Sequence, residues 1–176
     1  MRVVVYGTSG SGKSTFAADL AGARNVPCIE LDLINWRPGW IGRNKTDIDG
    51  FKEDVETAIA IDAWVASDVR DRMWKRATDV VYLDLPRVVI VRQVIVRSFQ
   101  RAFSGEDVFP GCREHWWRMA SAEHPIRWAW STFHRRRDIY EGLIRDPQNA
   151  HLTLHRCLTR TQIAATLLKL SQQRPD

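Results

Sequence analysis

The sequence predicts an α/β protein in which a parallel sheet lies between two layers of helices. Three observations carry that reading. β-Branched runs recur along the chain, helix-periodic stretches separate them, and the first run opens directly into a glycine-rich turn and a helix. Strands that alternate with helices return to one sheet as parallel neighbours joined by right-handed crossovers. The composition agrees. The chain has 176 residues, 44% hydrophobic and 27% charged. That suits a single domain over 1–176 with one substantial core. It excludes a disordered tail, a collagen-like fibre and a disulfide miniprotein.

Each element follows from its residues. Arg2-Val3-Val4-Val5-Tyr6 reads as a buried strand. Gly7-Thr8-Ser9-Gly10-Ser11-Gly12-Lys13-Ser14 comes next and fits the phosphate-binding pattern G-x-x-x-x-G-K-S in full. Phe16, Ala17, Leu20 and Ala21 then recur at helical spacing. Cys28 to Asp32 reads as a second strand ending in a carboxylate, and Asn35 to Trp40 as a loop. Phe51, Val55, Ala58 and Ile59 mark an amphipathic helix. Ala63 to Ser67 reads as a third strand, followed by Asp68. Val80 to Asp84 reads as a fourth, with Pro86 opening the next helix. His151 to His155 reads as a fifth. Thr159-Arg160-Thr161-Gln162 has the form of a capping box for a last helix through Leu170, after which the end frays. The expected fold is therefore a three-layer P-loop NTPase fold with a five-stranded parallel sheet. The stretch 104–125, with Gly105, Pro110, Gly111 and Trp116-Trp117, interrupts the alternation and reads as a helical lid insertion over the site.

The loop dictates its own chemistry. Its backbone N–H groups have to point inward at a phosphate, and Gly7, Gly10 and Gly12 permit the dihedrals and the close approach. The helix behind it adds unpaired N–H groups and a positive dipole end. Gly7, Ser9, Gly10, Ser11, Gly12, Lys13, Ser14 and Thr15 are thus the candidate ATP-binding residues, with Lys13 charged against the β- and γ-phosphates. Ser14 is placed to ligate Mg²⁺, and Asp84, after a hydrophobic run, is the second candidate metal ligand. Ligands of such sheets sit beyond the C-terminal strand ends. Asp32, Asp68 and Asp84 all fall there. Asp32 is the candidate for touching the acceptor, since the strand after the first helix usually lies next to the loop.

Positive charge is uneven. The formal net charge is +5, only five of the 26 basic residues are Lys, and Arg87 to Arg145 holds eleven Arg, no Lys and six acids. Arginine grips phosphate with a planar fork. Arg97 and Arg101 share a helix face at i, i+4 spacing, and Arg136 and Arg137 fall on the apolar stripe of Ile126, Ala129, Trp130, Phe133, Tyr140 and Leu143. Arg97, Arg101 and Arg136 are candidate catalytic residues, together with Lys13 and Asp32, closing over transferring phosphate. No apolar run approaches the ~20 residues of a membrane span. The N-terminus does not read as a signal peptide, and Cys28, Cys112 and Cys157 lack paired spacing, as reduced thiols of a cytoplasmic protein.

The chain resembles the adenylate-kinase-like P-loop kinases, and within them the group called DNA topology modulation proteins. The residues that carry the resemblance are Gly7 to Ser14, Leu31-Asp32 with Trp36-Arg37-Pro38-Gly39-Trp40, Tyr82-Leu83-Asp84-Leu85-Pro86-Arg87, Arg92 and Arg97, and Trp128-Ala129-Trp130 leading into His134-Arg135-Arg136-Arg137. It departs at Ser67-Asp68-Val69-Arg70, where the group carries Asp-Gly-Asn-Tyr. The resemblance implies ATP, Mg²⁺ and phosphoryl transfer to a small-molecule acceptor, such as a nucleoside or nucleotide. Two other readings stand beside it. One is a nucleotide-binding regulator acting on DNA, disfavoured because no DNA-reading motif is evident. The other is a bare NTPase with water as acceptor.

Overall fold

A computed structural model of the chain describes residues 1–67, 71–104, 107–113 and 125–173. In chain order the first half contains β1 (Arg2–Gly7), α1 (Lys13–Arg24), β2 (Cys28–Glu30), α2 (Leu31–Asn35), β3 (Trp36–Arg37), β4 (Ile41–Gly42), α3 (Arg43–Thr46), α4 (Ile48–Ala58) and β5 (Trp64–Ser67). The second half contains α5 (Asp71–Arg76), β6 (Asp79–Leu83), α6 (Arg87–Ser104), β7 (Asp107–Phe109), β8 (Cys112–Arg113), α7 (Pro125–Arg145), a 3₁₀ turn (Pro147–Asn149), β9 (Thr153–Cys157) and α8 (Arg160–Gln172).

Five strands form the expected parallel sheet, in the order β2-β5-β1-β6-β9. β1 is central, and Val3, Val4, Val5 and Tyr6 have no solvent exposure. This is why the run is apolar on both faces: each strand residue meets a helix layer whichever way it points. Val3 and Val5 pack with Phe16, Ala17 and Leu20 of α1 and Leu170 of α8. Val4 and Tyr6 face the other way, onto Phe51 and Val55 of α4, Trp74 of α5 and Tyr140 of α7. A third cluster, Leu85, Ile90, Val94 and Phe133, joins α6 to α7. Arg87 strengthens that junction, with its guanidinium carbon 3.4 Å from the Trp130 ring centroid.

Three details differ from the sequence reading. β2 lies at the sheet edge, because β5 inserts between it and β1; Asp32 is therefore two strands from the loop-bearing strand, not beside it. Residues 36–42 form a hairpin, β3–β4, where a loop was expected. The described part of the expected helical lid, 107–113, is also a hairpin, with Pro110-Gly111 at its turn and Gly111 at φ 70°. Residues 105–106 and 114–124 of that segment, and Asp68, lie outside the described residues. The capping box of Thr159 and Gln162 is present at α8. Cys112 and Cys157 are buried free thiols, and Cys28 is exposed. Among the described residues, no helix is long and apolar enough to cross a membrane.

At the N-terminal end of the sheet, away from the loop, His155 Nε2 lies 2.9 Å from Asp79 Oδ1 and Thr78 Oγ1 lies 2.8 Å from Asp79 Oδ2. Burial pushes the Asp79 carboxyl up, but the hydrogen bonds from His155 and Thr78 outweigh it and hold it below the usual carboxylate value. A carboxyl depressed in the folded state contributes stability above its unfolded value and loses it as pH falls through the folded one. We therefore expect the urea midpoint to fall below about pH 4, with Asp79→Asn flattening that decline; an unchanged acid limb in the variant would refute the assignment.

Candidate functional site

The loop between β1 and α1 has the geometry its sequence implies. Gly10 and Gly12 have φ of 86° and 96°, and Gly12 serves as the N-cap of α1. No side chain caps α1, and its first turn holds no acid. Its leading N–H groups and positive dipole end therefore carry no side-chain cap and no acid from the helix's own first turn. A Cβ on Gly12 would meet nothing within 4 Å, so the mouth of the loop is open there. Lys13 Nζ curls back to Thr8 O at 3.4 Å, which places the ammonium group at the loop itself. The Thr8 and Ser11 hydroxyls are buried with no hydrogen-bond partner. Ser9 is half-buried in the loop, and Ser14 and Thr15 are exposed on the first turn of α1. Open space, unpaired donors and one ammonium group fit a phosphate chain. An exposed Ser14 hydroxyl next to Lys13 fits a magnesium ion bound to that chain.

α6 supports the loop from outside. A Cβ added to Gly10 would lie 2.3 Å from Val94 Cγ2 and 3.3 Å from Ile90 O. Gln93, with its amide nitrogen turned toward the loop, donates to Gly10 O at 2.7 Å and accepts from Arg160 of α8. Residues three and four apart share a helix face. The row that begins with Ile90 and Val94 under Gly10 therefore continues to Arg97 and Arg101, both half-buried. Arg97 and Arg101 thus lie about one and two turns beyond Val94 on the helix face that also carries Ile90.

α7 approaches from the other side. Arg136 Nη1 donates to Tyr140 Oη at 3.2 Å, and Tyr140 Oη donates to Gly7 O at 3.2 Å. Arg136 is therefore connected to the first residue of the loop. Arg137, its neighbour, reaches Asp84 Oδ2 at 3.1 Å. Arg156 of β9 reaches the same oxygen with Nε at 3.0 Å and Nη2 at 2.5 Å. Arg156 also meets Glu141 Oε1 at 2.6 Å.

Asp84, the second candidate magnesium ligand, is held by arginines in this structure. Its side chain is 4% exposed, and two guanidinium groups share one oxygen. A buried carboxylate paired in this way is already neutralised. Burial, with Asp84 beside it, raises the Tyr82 phenol, and burial with the neighbouring tyrosines and Glu141 raises Tyr6. Both phenols therefore stay protonated at neutral pH. Among the described residues, no group of three His, Cys, Asp or Glu side chains forms a metal-binding cluster.

Asp32 sits in the first turn of α2, half-buried, just beyond the C-terminal end of β2. Trp36 follows one helical turn later, and Trp36, Trp40 and Phe109 form a chain of edge-to-face rings at 5.5 and 6.0 Å. This links β3–β4 to β7–β8. Buried Arg43 braces the same region through Asp47 at 2.8 Å and Asp54 at 2.5 Å. Sequence reasoning missed Gln93, Arg156 and Arg160, and took Tyr140 only as part of an apolar stripe. Their partners lie far away in sequence, so local spacing holds no trace of them.

No protein-family model matches the chain, and no curated protein matches it. Solved structures do. The shikimate kinase of Bacteroides thetaiotaomicron superposes with a TM-score of 0.59 at 16% identity, covering 98% of this chain and 97% of that one. A shikimate kinase from Acinetobacter baumannii, solved in complex with shikimate, gives 0.55 at 16% identity, covering 97% and 90%. A gluconokinase from Sinorhizobium meliloti gives 0.50 at 16% identity, covering 97% and 93%. The fold is that of the P-loop kinases. At these identities the likeness speaks for architecture alone, and the residues above carry the chemistry.

Gly10 gives a direct check on the loop's support. Its left-handed φ disfavours any Cβ by about 1–2 kcal/mol, and the clash with Val94 adds about 1–3 kcal/mol of overpacking. Gly10→Ala is expected to lower the urea midpoint by a matching amount, and Gly10→Ala with Val94→Ala to recover part of it. Equal stability of wild type and Gly10→Ala would contradict the packing described.

Proposed function

We propose that this protein is a small-molecule kinase that transfers the γ-phosphoryl group of Mg–ATP to a hydroxyl of its acceptor. What supports the reading is the start of α1 under Lys13, with no side-chain cap and no acid in its first turn, and the link from Arg136 of α7 through Tyr140 to Gly7 of the same loop. The P-loop kinase fold and the kinase activities of its structural neighbours support it.

We assign the roles from the residue types, as the sequence suggests them. The backbone of Gly10 to Thr15 would hold the polyphosphate, and Lys13 would neutralise the β- and γ-oxygens. Ser14 would hold magnesium, which supplies charge neutralisation across those oxygens when bound. Arg97, Arg101 and Arg136 would stabilise the charge on the phosphoryl group in transit. Asp32 would orient the acceptor and take its proton. A bond forms from the acceptor oxygen to the γ-phosphorus, and the bond from that phosphorus to the β–γ bridging oxygen breaks. ADP leaves, and the hydroxyl proton passes to the Asp32 carboxylate. Catalysis of this kind is mostly positioning and electrostatics.

The acceptor class is open to a direct screen of nucleosides, nucleoside monophosphates, sugars, shikimate and gluconate. We expect Mg–ATP-dependent phosphorylation of at least one compound, and a loss of about 10²-fold or more in Lys13→Ala at unchanged melting temperature. Normal turnover in Lys13→Ala would remove the mechanism. DNA binding that falls steeply with salt, with no phosphorylated product across the screen, would replace it with the alternative reading of a nucleotide-binding regulator acting on DNA. Phosphate release at about 1 s⁻¹ or faster without any acceptor would make water the acceptor.

A further inference from the structure

Tyr140 joins two parts of the site that lie 133 residues apart in sequence. It is 5% exposed. Its ring is fixed without help from its hydroxyl: the centroid is 4.7 Å from that of Tyr6 at 64° and 5.7 Å from that of Tyr82 at 68°. The phenol oxygen therefore occupies a defined point above the end of β1. A phenol has one proton to give, a guanidinium can only donate, and a carbonyl can only accept. The direction of the chain is thereby settled. Arg136 Nη1 donates to Tyr140 Oη, and Tyr140 Oη donates to Gly7 O, each at 3.2 Å.

Gly7 itself has little room to shift. A Cβ there would lie 2.8 Å from Leu83 O and 2.7 Å from Ser11 Oγ, so the strand end is closely packed on two sides. The adjacent arginine, Arg137, turns instead to Asp84, which separates the tasks of two consecutive cations. One is spent on a buried carboxylate. The other is tethered to the backbone that opens the phosphate loop.

We propose that Tyr140 is a positioning residue that sets Arg136 in register with the phosphate loop. The proposal rests on the kinase reading, in which Arg136 meets the terminal phosphate of the nucleotide. A chain of two hydrogen bonds from loop to guanidinium fixes the distance between Arg136 and whatever the loop holds, so the arginine discriminates between a nucleotide that carries a γ-phosphate and one that does not.

The test is a double-mutant cycle on the full chain, read as affinity for Mg–ATP and for Mg–ADP by intrinsic tryptophan fluorescence, with melting temperatures alongside. We expect the wild type to prefer ATP by about tenfold or more. Tyr140→Phe keeps the ring and removes only the hydroxyl; it should cut that preference by about three- to tenfold, as should Arg136→Ala. The double variant should be no worse than Arg136→Ala alone, because both changes remove one connection. Additive losses, or an intact ATP preference in Tyr140→Phe, would overturn the proposal. So would a Tyr140→Phe protein that melts far lower and binds both nucleotides equally poorly, since the hydroxyl would then serve the fold alone. A wild type that prefers ATP yet phosphorylates nothing refutes the kinase reading while leaving the cycle readable. A wild type with no preference between ATP and ADP overturns the positioning role even where transfer occurs, and one that binds neither overturns both.

Discussion

A loop that turns its amides toward one point must send its carbonyls elsewhere, because the two groups of a trans peptide point in opposite directions. Buried carbonyls then need donors of their own. Here those donors come from four sources. Tyr140 serves Gly7 O, Ser11 N and Lys13 Nζ serve Thr8 O, Gln93 serves Gly10 O, and Phe16 N serves Gly12 O. Two of these are supplied by the chain next to the loop. The other two are supplied by α6, which lies against the loop at Gly10, and by α7, which lies against the end of β1. The same helices carry Arg97, Arg101 and Arg136.

Charge is distributed to match. Asp84 and Glu141 are answered by Arg137 and Arg156 in a compact, mostly buried group beside the tyrosines. That group neutralises the carboxylate that follows β6. Arg156 also lies 5.4 Å from the Tyr82 ring, and Tyr82 stacks on Tyr6 at 4.6 Å. The aromatic layer therefore insulates the ion pairs from the sheet's apolar interior, as paired charges in a low-dielectric setting require.

What the sequence revealed and what it hid divide along contact range. The phosphate loop, the strand and helix alternation and the capping box at Thr159 are local, since each is written within a few consecutive residues and the structure realises each of them. Strand order was not legible. Nothing in Cys28–Glu30 says that β5 will insert between it and β1, and the expectation that Asp32 adjoins the loop-bearing strand failed for that reason. The hydrophobic run before Asp84 suggested a metal ligand, but the arginine that claims this carboxylate most tightly stands 72 residues later. Tyr140 looked like one more apolar stripe residue because periodicity records which face a residue occupies, not what its hydroxyl meets.

The clasp between the two small hairpins has a consequence for grafting. Gly39 N donates to Gly111 O at 2.9 Å, Trp40 Nε1 to Arg113 O at 2.9 Å, and Cys112 Sγ to Arg37 O at 3.1 Å. Any Cβ at Gly111 would press against Pro38 at 2.7 Å, in a left-handed turn that already favours glycine. Segments so closely fitted cannot drift separately. A graft of residues 36–42 or 107–113 into another scaffold would therefore have to bring its counterpart along to keep these contacts.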